Sequence, residues 1–345
     1  MLMRMKIAIT GSPQAGQQQL FSLLTGISME LIQQKPLEAQ VGICEVKDPR
    51  VTRLSEMYHP KKTTHARIEY LLLPDFNLQG PARELIMGQL KNADELCWVA
   101  RSENAESEIS SFLSELVIAD LMLIEKRQAN IARDQRKKYL ETREKEKALV
   151  DTCHQVLEQG KLLQKVSFSE EQVQMLMTYQ SLTMKPIILA LNVPEKEINN
   201  FSYAQKIKEK FELPLVQLSA ELEEEINRLG EGDRQAFLKE MGIDEPALNK
   251  MTRTAYAGLG LISFFTVGED EVRAWTVSKG ASAPEAGSVI HSDIEKGFVR
   301  AEMMKYDDLI AAGSENRLKE LGKFSLKGRD YTVEDGDILS FRFNV

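Results

Sequence analysis

Cysteine is scarce in this 345-residue sequence: Cys44, Cys97 and Cys153 lie far apart and are odd in number. No C-x-x-C occurs, which speaks against a zinc ribbon or a disulfide framework and leaves the thiols as packing residues. The four histidines are scattered, so no metal site is expected. No apolar run approaches the roughly 20 residues that cross a bilayer. The opening Met1-Leu2-Met3-Arg4-Met5-Lys6 runs directly into an apolar strand, without the features of a secretion signal. A reducing, cytoplasmic location and no membrane partner are expected. Positive charge is not in excess either. The net charge of −8 argues against a generic polyanion binder and gives no expectation of DNA specificity, because such affinity rests on uncompensated Lys and Arg. What is present, 43% hydrophobic and 28% charged residues, is the composition of a globular protein long enough for two or three domains.

The chain opens with a short apolar strand, Lys6–Thr10, a glycine turn, Gly11-Ser12-Pro13-Gln14-Ala15-Gly16, and Leu20, Phe21, Leu23 and Leu24 at helical spacing. Strand, turn and helix in this order begin an open α/β sheet. Further strands are read at Ile68–Leu73, Glu95–Ala100, Pro186–Leu191 and Pro214–Leu218. Their near-continuous apolar character suits strands covered on both faces. The stretch 107–183 breaks the rhythm: Leu113, Leu116, Val117, Leu123 and Ile124 begin a long helical pattern, and Arg127–Val150 is dense in charge of both signs. An inserted antiparallel helical hairpin, a coiled-coil arm, is expected there. After residue 264, Arg273–Val277, Phe298–Glu302, Tyr331–Val333 and Leu339–Phe343 alternate or carry β-formers between glycines. They indicate a small β-rich α+β module ending in an exposed edge. The expected organisation is a sheet domain over 1–106 and 184–264, an arm over 107–183 and a last domain over 265–345.

The turn carries both glycines of the phosphate-binding pattern G-x-x-x-x-G-K-[ST]. That loop cradles phosphates on backbone N–H groups, places a Lys on the β- and γ-phosphates and a hydroxyl on Mg²⁺. Here the next residues are Gln17, Gln18 and Gln19. A neutral amide replaces the cation, and charge-assisted hydrogen bonds are roughly twice as strong as neutral ones. Phosphoryl transfer depends on positioning and electrostatics, so little catalytic means remains. From this segment alone, a plain strand–helix turn without a ligand is an equal alternative.

Downstream segments tip the balance. Phe265–Trp275 (FTVGEDEVRAW), Ile290–Glu302 (IHSDIEKGFVRAE) and Asp335–Val345 (DGDILSFRFNV) resemble the C-terminal signatures of the YchF or Obg-like ATPase family, a group within the P-loop GTPase class. Ser114–Leu121 resembles the beginning of that family's coiled-coil arm and Leu182–Pro186 its end. The resemblance spans essentially the whole chain. It implies an α/β fold: a P-loop NTPase sheet (G domain), an inserted coiled-coil arm and a C-terminal ubiquitin-like TGS domain. It also implies ATP, or less readily GTP, with Mg²⁺ as ligand, and association with ribosome or RNA. Asn192-Val193-Pro194-Glu195 matches the family's base-reading N-x-x-E, and Ser219-Ala220 the later base-flanking loop. The residues carried over as nucleotide-binding are therefore Gly11, Pro13, Gln14, Ala15, Gly16, Gln17, Gln18, Gln19, Asn192, Val193, Glu195, Ser219 and Ala220.

The departures fall on one chemistry. Gln17 and Gln18 replace the family's Lys and Ser. Leu72 replaces the Mg²⁺-associated aspartate. Asp75 stands where a γ-phosphate-sensing glycine is expected, after Pro74, which has no N–H. No switch threonine is found between Pro36 and Asp48. No catalytic residue is assigned, and these sites are read as degenerate. Arg273, Lys296, Arg300 and Arg342 are the candidate RNA or ribosome contacts, although acids outnumber bases across 266–345. The basic stretch Arg133, Arg136, Lys137, Lys138, Arg143, Lys145 and Lys147 is interleaved with acids, as on a salt-bridged helix. His291 and Asp293 could share a strand face, but no nucleophile accompanies them. Trp98 and Trp275 are read as core. Three functions remain: a monomeric, non-hydrolysing pseudo-GTPase that binds ribosome or RNA; an ATPase with an unconventional phosphate site; and a scaffold whose sheet domain is only a spacer.

Overall fold

A computed structural model describes residues 5–133 and 140–344. Contacts divide the chain into two compact units. The first comprises the start of the chain to Met5, Ile43–Glu69 and Asn249–Val345; the second comprises Lys6–Gly42 and Tyr70–Leu248.

Twelve strands are formed among the described residues: β1 (Lys6–Gly11), β2 (Gln40–Val46), β3 (Lys62–Thr64), β4 (Ala66–Leu72), β5 (Glu95–Arg101), β6 (Ile187–Asn192), β7 (Leu215–Leu218), β8 (Leu261–Thr266), β9 (Glu271–Ser278), β10 (Phe298–Lys305), β11 (Ser325–Lys327) and β12 (Asp337–Phe343). One sheet has the order β2-β4-β1-β5-β6-β7. Pairing is parallel from β1 to β5, β5 to β6 and β6 to β7, with Ile9 opposite Cys97 and Val99 opposite Ala190. These apolar runs are buried nearly end to end, as parallel strands covered on both faces must be. Beside the sheet, Trp98 stacks on Phe112 with ring centroids 4.3 Å apart, and Phe76 meets both rings edge-on.

The expected insertion consists of a 29-residue helix, Ala105–Arg133, and a second helix, Leu140–Glu158. Ile124, Ile131, Leu149, Val150, Cys153 and Leu157 are buried in one cluster with the sheet core. Across the pair, Arg127 Nε donates to Glu146 at 2.6 Å and Gln128 to Asp151 at 2.8 Å. Asp120, 1% exposed, fastens the segment that returns to the sheet: it accepts from the Leu182 and Thr183 N–H groups and from the Ser181 and Thr183 hydroxyls.

In the other unit the sheet order is β11-β10-β12-β8-β9-β3. β12 runs antiparallel to β10 and parallel to β8. The chain therefore ends in an interior strand and not in the expected exposed edge; β11 and β3 hold the edges. The misreading arose because β12 alternates like a half-exposed strand, while the identity of its neighbours is set by distant sequence. The span Tyr331–Val333 carries an isolated bridge, Ser282 to Thr332, in place of a strand. The anticipated domain boundary at 264 falls inside β8. A core of Phe264, Trp275, Val277, Phe298 and Leu339 lies against the helix Ala283–Ile290.

Candidate functional site

The turn after β1 has the outline of a phosphate loop. Gln14 adopts φ 61°, and Gly16, the N-cap of the helix Gln17–Thr25, adopts φ 99°; this left-handed region favours glycine. Both glycines are required by packing as well as by any ligand. A Cβ on Gly11 would lie 2.5 Å from the Val99 carbonyl oxygen, and one on Gly16 would lie 2.5 Å from Asn192 Nδ2. Pro13, Gln14 and Gln19 are exposed, Gln18 is half-buried, and Ala15 is buried.

Gln17 points inward. It is 3% exposed, its Nε2 donates to Asp75 Oδ1 at 2.5 Å, and its Oε1 is buried without a hydrogen-bond partner. The structure thus brings together two of the replaced positions, 58 residues apart, in one contact. Burial raises the Asp75 carboxyl above the usual range, and the Gln17 amide partly offsets this. Leu72, at the end of β4, is 3% exposed and offers only methyl groups. The Phe76 N–H donates to the Gly11 carbonyl at 3.0 Å and Thr10 Oγ1 to the Pro74 carbonyl at 3.4 Å, so the segment after β4 is tied to the turn by backbone and side chain. A triphosphate and Mg²⁺ do not fit these residues well. The cationic group is replaced by an amide already engaged, the metal-side carboxylate by a leucine, and a carboxylate faces the loop.

On the base side, Asn192 at the end of β6 uses both ends of its amide. Nδ2 donates to the Ala15 carbonyl at 3.1 Å, and Oδ1 accepts from the Ala220 N–H at 3.0 Å. It thereby staples the turn to the loop at Ser219-Ala220, where Ser219 caps the helix Ala220–Arg228. Val193 is buried and Glu195 is exposed. Asn192 and Ala220 are thus brought together beside the turn, while Glu195 stays out in solvent.

Beside Ser12 opens a cavity of about 390 Å³ that the sequence did not disclose. Phe76, Trp98 and Phe112 form its aromatic wall, and Arg83, Glu108 and Glu115 line it. Arg83 lies over the Phe76 ring at 3.9 Å and pairs with Glu115 at 2.8 Å. Burial raises the Glu108 carboxyl, partly offset by the Ser12 hydroxyl. No spacing in the sequence singles out Glu108, because this wall comes from a helix, Ala105–Arg133, far along the chain from the turn.

Of the basic candidates only Arg300 and Arg342 are cross-strand neighbours. Arg273 is folded onto Trp275, its guanidinium 3.8 Å from the ring. Arg342 is paired to Glu302 at 2.8 Å. Arg300, opposite Arg342 in register, and Lys296 are exposed. Of the basic stretch, Arg136, Lys137 and Lys138 lie outside the described residues; Lys145 faces Glu171 at 3.5 Å, and Arg143 bonds to the Ile131 carbonyl. His291 is not on a strand: it precedes the helix Ser292–Gly297, and its Nδ1 accepts from the Asp293 N–H at 3.2 Å as a cap. Trp98 and Trp275 are buried, as are Cys97 and Cys153, whereas Cys44 is half-buried. Among the described residues no helix is long and apolar enough to cross a membrane.

A parallel sheet whose first strand turns through two spaced glycines into a helix, with a base-side asparagine reaching back to that turn, defines the P-loop GTPase class. Comparison narrows the class. The family model YchF-GTPase_C, described as "Protein of unknown function (DUF933)", matches residues 261–344. Proteins named Ribosome-binding ATPase YchF are similar over their full length. Those of Bacillus subtilis and Haemophilus influenzae are 32% and 34% identical, each alignment covering 99% of this chain and 100% of the relative. The structure of the Schizosaccharomyces pombe YchF GTPase superposes with a TM-score of 0.86 at 27% identity, covering 98% of both chains. The chain belongs to the YchF family.

Proposed function

We propose that this chain is a ribosome-associated, cytoplasmic member of its family that acts as a regulatory binding protein, with nucleotide binding and hydrolysis strongly impaired or lost. The observation that carries this reading is the Gln17–Asp75 hydrogen bond. In a working loop the first position bears a cation for the β- and γ-phosphates; here its substitute is neutral and spends its donor on a carboxylate. A carboxylate facing the loop repels a phosphate, and no lysine stands there to offset it. Leu72 supplies no oxygen to Mg²⁺, and Gln18 carries a bulkier amide where a small hydroxyl is needed.

Ribosome association is carried over from the names of the relatives. Its contacts are proposed on the C-terminal TGS domain (265–345), at Lys296 and Arg300 above all, and on the coiled-coil arm (107–183), with the sheet domain over 1–106 and 184–264. The protein is proposed to act as a monomer. The test is calorimetric titration of ATP and GTP with Mg²⁺ into the full chain, with dissociation constants of about 1 mM or weaker expected. Micromolar affinity with steady phosphate release sinks the proposal and favours the second reading, an ATPase with an unconventional site, which the relatives' names and the intact Asn192 staple support. The combined variant Gln17→Lys, Gln18→Ser, Leu72→Asp, Asp75→Gly should regain binding; failure to do so favours a spacer role. Co-sedimentation with ribosomes, with and without nucleotide, tests the partner.

A further inference from the structure

In the unit formed by Ile43–Glu69 and Asn249–Val345, β3 pairs with β9 for three residues, ending at Thr64 opposite Arg273. The chain then turns through His65 into the start of β4. From there on, β9 and the Ala66–Glu69 segment enclose a cleft of about 160 Å³ instead of continuing the sheet. Ile43, Ile68, Ala274, Trp275 and Val289 supply its apolar surface, and Thr64, His65, Arg67, Glu69, Arg273 and Thr276 the polar remainder. Ile43, at 48% exposure, stands at the mouth as a large apolar side chain open to solvent.

Two polar groups in this wall have no partner. Arg273 Nε and His65 Nδ1 are buried, and neither makes a hydrogen bond. The other charged groups nearby are engaged: Arg67 pairs with Glu45 at 3.2 Å, Glu271 accepts from Thr64 Oγ1 at 2.6 Å, and Glu69 has its own interactions. The Arg273 guanidinium approaches Glu271 only at 3.9 Å, through Nη1, which leaves the Nε edge uncommitted. Its plane is held by stacking on Trp275, whose indole N–H is fixed by Thr266 Oγ1 at 2.9 Å. A desolvated guanidinium N–H without an acceptor is costly to maintain, and an oxyanion is the acceptor that a guanidinium edge matches best.

We propose that this cleft is a binding site for a small planar carboxylate. The carboxylate is held by Arg273 Nε and His65, and the flat apolar body lies among Ile43, Ile68, Ala274 and Val289. Size and lining decide the class. The cavity lies well below the roughly 300 Å³ at which pockets for drug-sized ligands begin, so a nucleotide does not fit and a single ring does. The apolar part of the lining favours a ligand with a flat hydrocarbon body over a hydrated inorganic phosphate, which would gain nothing from it. Arg273 thereby takes a role other than the RNA contact its position in the sequence suggested.

The experiment is calorimetry on the full chain with benzoate, benzamide and inorganic phosphate. Saturable benzoate binding with a dissociation constant of about 1 mM or tighter is expected, with benzamide weaker by about tenfold or more and phosphate silent. Arg273→Lys keeps the charge but loses the planar N–H edge, and Ile43→Phe, at a half-exposed position, fills the mouth. Each should weaken benzoate by about tenfold or more while unfolding at the wild-type temperature. No saturable heat at about 10 mM benzoate overturns the proposal, as does phosphate binding as well as benzoate or unchanged affinity in a variant that keeps its fold.

Discussion

Glu95 opens the central strand β5 with its carboxylate fully buried, and neither of its oxygens has a hydrogen-bond partner. Burial alone pushes its pKa from 4.5 to about 9. The raised value means that the folded chain holds a proton which the unfolded chain releases. Stability from this linkage is therefore fully present below about pH 4.5 and is lost as pH rises toward 9. Each pH unit between the two values costs about 1.4 kcal/mol, so at pH 7 the native state carries a penalty of at most about 3.5 kcal/mol. Glu95→Met, an apolar side chain of similar length, removes both the penalty and the orphaned oxygens. Chemical unfolding of wild type and variant at about pH 5 and pH 8 should show a gain of about 1–3 kcal/mol at the higher pH and a clearly smaller one at the lower. A gain that does not change with pH, or a loss of stability at pH 8, refutes the reasoning, because the buried group would then not be ionisation-linked.

Other consequences follow from single contacts. Asp120→Ala orphans four donors at Ser181, Leu182 and Thr183 and should cost about 3–5 kcal/mol in chemical unfolding, with Asp120→Asn recovering part of it. Gly16→Ala combines a positive φ with a 2.5 Å approach to Asn192 and should cost about 1–3 kcal/mol, releasing the staple between the turn and Ala220; an unchanged Asn192 side-chain amide signal by NMR would contradict this. Lys305→Met removes the cation that faces the fully buried Asp337 at 2.5 Å. It should lower the thermal midpoint by several degrees, because a buried carboxylate loses its cationic partner, and an unchanged midpoint would contradict this.

Much of the sheet was legible beforehand because its strands announce themselves locally. β1, β4, β5, β6 and β7 are largely apolar segments, and the expected spans lie within two residues of those observed. The two long helices between β5 and β6 were legible for the same reason, through long apolar spacing. β3 was not: Lys62-Thr63-Thr64 is short and polar, and it becomes a strand only because Glu271-Val272-Arg273 lies beside it. His291 and Asp293, two residues apart, would share a face on a strand, yet the imidazole serves the helix that follows.

The sequence by itself determined the strand–turn–helix that opens the sheet, the family signatures near the C-terminus, and that Gln17 and Gln18 follow the turn where the phosphate-loop pattern has a lysine and a hydroxyl. These are properties of residue type and near spacing. Only the tertiary structure decided that Gln17 and Asp75 are spent on each other, that both turn glycines are demanded by Val99 and Asn192 as well as by any phosphate, that the final strand is interior, and that Arg273 lies on Trp275 beside an unfilled cleft. Each depends on which distant backbone comes within a few ångströms, and hydrogen bonding and close packing act only at that range.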